Sequence, residues 1–130
     1  CDTATAAVRL TQARLEHFPH ARVEQRRLPE QWPGGQFELI VLSELCYYLD
    51  VDDFNRLIDC ALAALTADGQ ILACHWRVPI DGCPQTAEQV HAVLQQRLGV
   101  APLVQYQDPD FLLDLWSLDG TSVARHEGLR

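Results

Sequence analysis

The chain of 130 residues is 48% hydrophobic and carries 18 acidic against 10 basic residues, which gives a formal net charge of −8. This length and composition are typical of one globular domain, here residues 1–130. The negative charge repels phosphate backbones and anionic membrane surfaces, and no apolar run approaches the roughly 20 residues that span a bilayer, so neither nucleic acid nor a membrane is an expected partner.

Cysteine usage and two absent residue types add further constraints. The five cysteines are odd in number and lack any C-x-x-C spacing, and no basic and apolar leader opens the chain, which favours reduced thiols and a cytoplasmic location. The chain contains neither lysine nor methionine, not even at position 1. We therefore expect a fragment of a longer protein.

The first predicted element is an amphipathic helix over Thr3–Phe18, because apolar residues recur there at helical spacing. The side chain of Asp2 or of Thr3 can cap its amino end by accepting a backbone hydrogen bond. A short strand is predicted over Ala21–Leu28.

A loop rich in proline and glycine over 29–35 leads into a run of apolar residues, Phe37–Leu42. Such a run predicts a strand covered on both faces, as in a parallel sheet between helices. An amphipathic helix over Asp52–Leu65 follows, closed by Asp68-Gly69, and Gln70–His75 is the next predicted buried strand. Together these three elements predict a right-handed parallel crossover.

The last third begins with a loop over Val78–Gln85. Thr86 with Gln89 three residues later resembles a capping box and predicts a helix that ends near Leu98. Two further strands are predicted to form an antiparallel hairpin, followed by a polar tail from about Asp119. The hairpin strands and the turn between them are Leu103–Gln107, Phe111–Leu118 and Asp108-Pro109-Asp110.

This order of elements indicates an α/β fold. In open parallel sheets, ligands bind beyond the carboxyl ends of the strands. Here that edge carries polar and aromatic side chains, namely Ser43, Glu44, Tyr47 and Tyr48.

The chain resembles the latter two thirds of a class I S-adenosylmethionine-dependent methyltransferase, and more narrowly the nodulation protein S group of small-molecule methyltransferases. The resemblance rests on the order and spacing of Trp32-Pro33, Phe37 to Glu44, Tyr47-Tyr48-Leu49, His75-Trp76-Arg77, Val90-His91 and Phe111 to Trp116. It implies a Rossmann-like three-layer sandwich with a mostly parallel sheet and a C-terminal antiparallel hairpin. The resemblance further implies an N-terminally truncated fold, since no part of the chain matches the first strand, its glycine-rich loop or the first crossover helix of that family.

The resemblance also implies a reaction, namely methyl transfer from S-adenosyl-L-methionine to a small-molecule nucleophile. The most specific acceptor it implies is an amine on an amino sugar or oligosaccharide. Because the glycine-rich half of the cofactor site is absent, the fragment itself is expected to be inactive.

Four residues are implied to bind the cofactor. Asp2 matches the acidic residue that accepts hydrogen bonds from both ribose hydroxyls, although a helix cap is the alternative interpretation. Leu28 falls near the adenine site, and Ser43 and Glu44 face the methionine end. Glu44 is also a catalytic candidate that orients or deprotonates the acceptor, unless it only caps the following turn.

The predicted substrate contacts lie at the same edge. Tyr47 and Tyr48 offer aromatic faces, but adjacent residues point in different directions, so one is expected to line the site and the other to be core. His75, Trp76 and Arg77 are expected to touch the substrate, with His75 as a candidate general base. A structural role for His75 is the alternative.

Metal binding is not expected. Cys74, His75, Cys83 and His91 lack the short paired spacing of zinc ligands, and His91 is expected to be a partly exposed surface histidine. Two other interpretations stay open, a non-catalytic flavodoxin-like binding module and an inert piece with an unpaired sheet edge.

Overall fold

The structure, a computed structural model, describes residues 1–129 without the side chains of Val123 and His126. The chain forms two compact units, Cys1–Gly34 and the residues from Gly35 onward. The expectation of one domain over residues 1–130 stays a prediction. None of the helices within residues 1–129 has both the length and the apolar character that crossing a membrane requires.

The first unit contains helix α1, Thr5–Arg14, which is shorter than predicted. It ends early because the N–H of Leu15 bonds to the carbonyls of both Thr11 and Gln12, which tightens the last turn. The N-cap residue is Ala4, without a side-chain cap, so capping by Asp2 or Thr3 is wrong. The predicted strand over Ala21–Leu28 is also wrong, since only an isolated parallel bridge between Asp2 and Gln25 forms there.

The second unit is built on a four-stranded sheet of order β1-β2-β4-β3. The parallel pair is β1 with β2, while β2 with β4 and β4 with β3 are antiparallel. The α/β fold class and the C-terminal hairpin are therefore confirmed. The strands are β1 Phe37–Ser43, β2 Leu65–Trp76, β3 Val104–Gln107 and β4 Phe111–Ser117.

The remaining helices are a 3₁₀ turn, Cys46–Tyr48, then α2, Val51–Ala64, α3, Ala87–Leu98, and the short α4, Val123–His126. The last of these lies where the sequence predicted only a polar tail.

Both long helices of this unit begin with a side-chain cap, and the cap of α3 is the one that its sequence predicts. The Asp50 side chain accepts a 2.8 Å bond from the Asp53 N–H at the start of α2. At the start of α3 both bonds of the Thr86–Gln89 capping box are present. These bonds satisfy backbone donors that a helix leaves unpaired in its first turn.

Strand β2 begins earlier than predicted. It follows α2 directly at Leu65, and Asp68-Gly69 lies inside the strand instead of closing the helix. Regular pairing with β1 resumes at Gln70 after a shift in register. A Cβ on Gly69 would lie 2.7 Å from Leu65 Cδ2, 3.0 Å from the Thr66 carbonyl oxygen and 3.1 Å from the Phe37 carbonyl oxygen. This irregular part of the strand is therefore crowded for any residue with a side chain.

Only one face of β1 is covered. Ile40 and Leu42 are buried, whereas Leu39 is 52% exposed and Val41 is 54% exposed. Because alternate side chains of a strand point to opposite faces, these values show burial on one side of the sheet. The prediction of a strand covered on both faces is therefore wrong for this chain.

Candidate functional site

The candidate site lies where the two parallel strands of the second unit end. Ser43 is the last residue of β1 and pairs with Cys74 of β2, and the Glu44 N–H bonds to the Cys74 carbonyl at 3.0 Å. Ser43 and Glu44 are both exposed. The carboxyl ends of parallel strands thus meet at one edge, as expected for an open sheet that binds a ligand.

Glu44 is the most constrained residue at this edge. Its φ is 53°, in the left-handed region that costs a residue other than glycine about 1–2 kcal/mol. One carboxylate oxygen accepts a 2.9 Å bond from the Trp76 N–H, and the other accepts a bond from the Tyr47 hydroxyl. The backbone strain and the two donors together fix the direction of an exposed carboxylate, which is typical of functional sites.

The two tyrosines have opposite environments. Tyr47 is 2% exposed and Tyr48 is 57% exposed. Burial, together with the hydrogen bond to Glu44, raises the pKa of Tyr47 far above its usual value, so this hydroxyl is a donor to Glu44 at any ordinary pH. Tyr48 presents its ring to solvent, with its centroid 4.8 Å from that of Tyr47.

His75 lies inside the protein, not at its surface. It is fully buried, its Nε2 accepts a 3.3 Å bond from the Cys46 N–H, and its Nδ1 lies 3.1 Å from His91 Nε2. Burial, with a smaller contribution from His91, lowers the pKa of His75 to about 3. Both ring nitrogens are thus occupied by protein groups, so neither is free to bond to a substrate.

Trp76 and Arg77 continue β2 beyond His75. Trp76 is 41% exposed. The Arg77 guanidinium bonds to Glu88 at 2.9 Å and to the Asp108 carbonyl, and the bond to Glu88 holds the pKa of that carboxyl below its usual value. Arg77 therefore ties the end of β2 to α3 and to the hairpin turn.

A shallow depression with a cavity volume of about 10 Å³ lies beside this edge. Tyr47, Trp76 and Arg77, three of the residues expected to touch the substrate, are among those that line it. The structure adds residues that sequence reasoning left as a plain loop, and their proline-rich spacing between β2 and α3 was the available signal. These added residues are Val78, Pro79, Ile80, Cys83 and Gln85, and Thr86 and Ala87 at the start of α3 line the depression as well.

The other two predicted cofactor residues belong to the first unit. Asp2 is exposed, and its Oδ1 accepts a 2.7 Å bond from the Ala4 N–H. Leu28 is half-buried. The accessible Asp2 carboxylate fits the chemistry of a group that accepts hydrogen bonds from a vicinal diol.

Two residues outside the predicted site join its supporting structure. His91 is 6% exposed, so the prediction of a surface histidine is wrong, and its Nδ1 lies 2.6 Å from Asp114 Oδ2. The signal was its position on the buried face of α3, between Val90 and Leu94. Asp114 alternates with apolar residues along β4 and gave no comparable signal.

Within residues 1–129, no three side chains of histidine, cysteine, aspartate or glutamate are grouped so as to hold a metal ion. All five cysteines are free thiols. Burial raises the pKa of the Cys46 thiol to about 12, which keeps this thiol protonated and unreactive.

Comparison with known proteins gives several structural matches. No protein-family model and no curated protein matches the chain. A crystal structure from Pseudomonas syringae, provisionally described as that of a methyltransferase, is 60% identical, with a TM-score of 0.77 over 90% of this chain and 70% of that one.

A second match is the N-methyltransferase NodS from Bradyrhizobium japonicum WM9, which is 22% identical, with a TM-score of 0.75 over 89% of this chain and 70% of NodS. A complex of NodS with S-adenosyl-L-homocysteine aligns with a TM-score of 0.71 over 89% of this chain, and the chain spans 63% of that one. At this identity the likeness to NodS shows a shared fold. The 60% identity to the Pseudomonas syringae protein shows more, and the chain belongs to the family of S-adenosylmethionine-dependent methyltransferases.

Proposed function

We propose that the intact protein transfers a methyl group from S-adenosyl-L-methionine to a small-molecule nucleophile at the edge where β1 and β2 end. The observation that carries the proposal is the 60% identity to the Pseudomonas syringae protein over 90% of this chain. The fixed and exposed carboxylate of Glu44 supports the location of the site. These findings favour methyl transfer over the flavodoxin-like alternative.

Four residues are proposed to hold the cofactor, which supplies an electrophilic methyl group on a sulfonium. Asp2 binds the ribose hydroxyls, Leu28 lies by the adenine, and Ser43 and Glu44 bind the methionine end. The exposure of Asp2, Ser43 and Glu44 supports this assignment, because each can accept or donate further hydrogen bonds. The complex of NodS with S-adenosyl-L-homocysteine supports the class of cofactor.

Glu44 is proposed to orient the acceptor and to take its proton when the acceptor is an amine. Methyl transfer is an in-line displacement, so most of the acceleration comes from holding the nucleophile in line. The two donors on Glu44, the Trp76 N–H and the Tyr47 hydroxyl, restrict the carboxylate to one direction. Fixing the carboxylate in advance removes the need to order it during the reaction.

The acceptor is proposed to be an amine on a sugar-like molecule. Tyr48 and Trp76 expose aromatic faces at this edge, and such faces attract cationic groups. Tyr47 and Arg77 complete the lining of the depression. Further support is that NodS is named as an N-methyltransferase.

A cytoplasmic setting is proposed as well. Its support is that all five cysteines are free, which is usual where glutathione and thioredoxin keep thiols reduced.

The test is made on the intact protein with Glu44→Gln and a matched control, Glu38→Gln, which changes an exposed glutamate at the start of β1. Calorimetry measures binding of S-adenosyl-L-methionine, and transfer of a labelled methyl group is measured with a panel of amino sugars and other amines. We expect wild type and the control to bind and turn over alike, and Glu44→Gln to lose about tenfold or more in kcat/KM. Absence of cofactor binding by the wild type refutes the function, and full activity of Glu44→Gln refutes the role of this residue.

A further inference from the structure

A continuous chain of buried polar groups runs behind the candidate site. It begins at Asp114 on β4, passes through His91 on α3 and His75 on β2, and ends at the backbone N–H of Cys46 in the 3₁₀ turn. The three residues are 8%, 6% and 0% exposed. Buried polar groups are costly unless every one is paired, so this chain joins four separate elements through obligatory contacts.

The position of each proton in this chain follows from its ends. A backbone N–H can only donate, so the Nε2 of His75 must carry a lone pair where Cys46 approaches it at 3.3 Å. The neutral ring of His75 therefore holds its proton on Nδ1 and donates to the Nε2 of His91 at 3.1 Å. His91 in turn must hold its proton on Nδ1 and donate to the carboxylate of Asp114 at 2.6 Å.

This arrangement points every donor in one direction, from the Cys46 N–H towards Asp114. It leaves neither histidine a free lone pair with which to take a proton from a substrate. A group whose nitrogens are both occupied by the protein acts on the site only through what it holds in place.

The hydrogen-bonded series from Asp114 to Cys46 holds the 3₁₀ turn in place. Tyr47 of this turn donates to Glu44, and Cys46 is only two residues from Glu44, whose φ of 53° is unfavourable. Two consecutive residues of β2 bond to the segment that contains the turn. The His75 ring accepts a bond from the Cys46 N–H, and the Trp76 N–H donates to the carboxylate of Glu44, just before the turn. We expect that loss of the bond between Cys46 and His75 would let the turn rotate, so that the Glu44 carboxylate would no longer be held in one direction.

We propose that His75, His91 and Asp114 are positioning residues for methyl transfer, because together they hold the turn that aims the carboxylate of Glu44. The proposal rests on the proposed function of that edge. It assigns His75 no direct part in moving a proton, in contrast to the general-base role that its sequence position suggests.

The first test reads the proton positions in the wild-type protein without any activity. Long-range ¹H–¹⁵N correlation spectra of ¹⁵N-labelled protein at pH 7 distinguish the protonated nitrogen of each ring. We expect the proton on Nδ1 in both His75 and His91. A proton on Nε2 of either ring overturns the proposal, because Nε2 of His75 would then face the Cys46 N–H, or Nε2 of His91 would face the Nδ1–H of His75, as donor against donor.

The second test compares two substitutions of His75 in the intact protein. In His75→Gln the amide oxygen can accept from Cys46 and the amide nitrogen can donate to His91, whereas His75→Leu can do neither. We expect His75→Leu to lower kcat about tenfold or more, and His75→Gln to recover most of that loss. His17→Gln, at a histidine whose side chain is 86% exposed, is the matched control and keeps full activity.

The outcomes separate the competing roles. A general base is lost equally in both variants, so equal and severe loss overturns the proposal. A merely structural role changes the melting temperature but not kcat well below it, so two fully active variants overturn it as well. If His75→Leu does not fold, His75→Gln alone decides: turnover within about tenfold of wild type supports the proposal, and a larger loss overturns it.

These results stay distinct from a failure of the proposed function. In that case the wild-type protein binds no S-adenosyl-L-methionine in calorimetry and no comparison of turnover is possible, while the proton positions in the histidine chain are still read directly from the spectra.

Discussion

Stability should fall steeply as the pH drops below the ordinary pKa of histidine. Burial lowers the pKa of His75 from 6.5 to about 3, so the folded protein keeps this ring neutral where the unfolded chain protonates it. Above about pH 6.5 the ring is neutral in both states and contributes no pH dependence. Below it the unfolded state binds more protons, and the free energy of unfolding decreases with falling pH until about pH 3.

The size of the effect follows from the shift. Each pH unit within this window costs about 1.4 kcal/mol for one proton, so the full range is worth about 5 kcal/mol. Only part of this range reports on His75 alone. The pKa values of Glu24 and Glu88 are held low chiefly by Arg26 and Arg77, so protonation of these carboxylates also lowers the free energy of unfolding in acid. Between pH 7.5 and pH 5 these carboxylates contribute little, and the shift of His75 by itself lowers the free energy of unfolding by about 2 kcal/mol.

The assay is urea unfolding followed by far-UV circular dichroism at half-unit steps from pH 7.5 to pH 5. The variant His75→Gln has no titrating ring at this position and should lose that slope, whereas His17→Gln should keep it. A wild-type change below about 0.5 kcal/mol over this range, or a slope that survives in His75→Gln, would show that His75 is not the buried neutral group described above.

Two further predictions concern stability. Gly69→Ala should destabilise the protein by about 1–3 kcal/mol, because its Cβ would lie 3.0 Å and 3.1 Å from the backbone carbonyl oxygens of Thr66 and Phe37, in addition to 2.7 Å from Leu65 Cδ2. The control Gly34→Ala meets nothing within 4 Å, and a similar drop in the thermal midpoint of both variants would refute the steric explanation. Thr86→Ala should cost about 1 kcal/mol through loss of the α3 capping box, while Thr86→Ser should retain most of it; equal thermal midpoints for alanine and serine would contradict the assigned cap.

Local hydrogen-bond chemistry made several elements predictable from the sequence. The Thr86–Gln89 pair formed the expected capping box, and the Asp108 carboxylate accepts bonds from the N–H groups of Asp110 and Phe111 in the hairpin turn. These signals involve residues at most three positions apart. Their geometry depends little on the rest of the fold, so the sequence is sufficient to identify them.

Elements that depend on distant contacts were predicted less well. Asp68-Gly69 has the composition of a turn, yet the chain passes through it in an extended strand because β1 pairs on both sides of it, at Leu65 and again at Gln70. The strand expected over Ala21–Leu28 does not form, because this segment lacks the strand partner that Asp68-Gly69 has. Its apolar pattern is weak, and only Gln25 makes a bridge.

The candidate site shows the same division. Its location was predictable, because the carboxyl ends of parallel strands must meet at one edge. The environment of each side chain was not, since Tyr47 and Tyr48 are adjacent in sequence but differ completely in exposure. Which tyrosine turns inward is decided by the 3₁₀ turn, and that turn depends on His75, 29 residues from Cys46 along the chain.

The roles of His75 and Trp76 follow from the alternation of a β-strand. Ile71 and Ala73 are buried, and His75 continues the same face inward, while Trp76 lies on the exposed face. A histidine in phase with buried apolar residues is therefore directed at the core, where it must find partners or remain unpaired at a large cost. His91 and Asp114 provide those partners.

Consecutive residues of β2 therefore have different roles. The side chain of His75 holds the 3₁₀ turn from inside the protein, whereas Trp76 is exposed at the edge proposed to bind the ligand. Exchange of the two residues, His75→Trp with Trp76→His, would keep the composition but place tryptophan on the buried face and histidine on the exposed face. We expect this double substitution to abolish both the bond that holds the 3₁₀ turn and turnover.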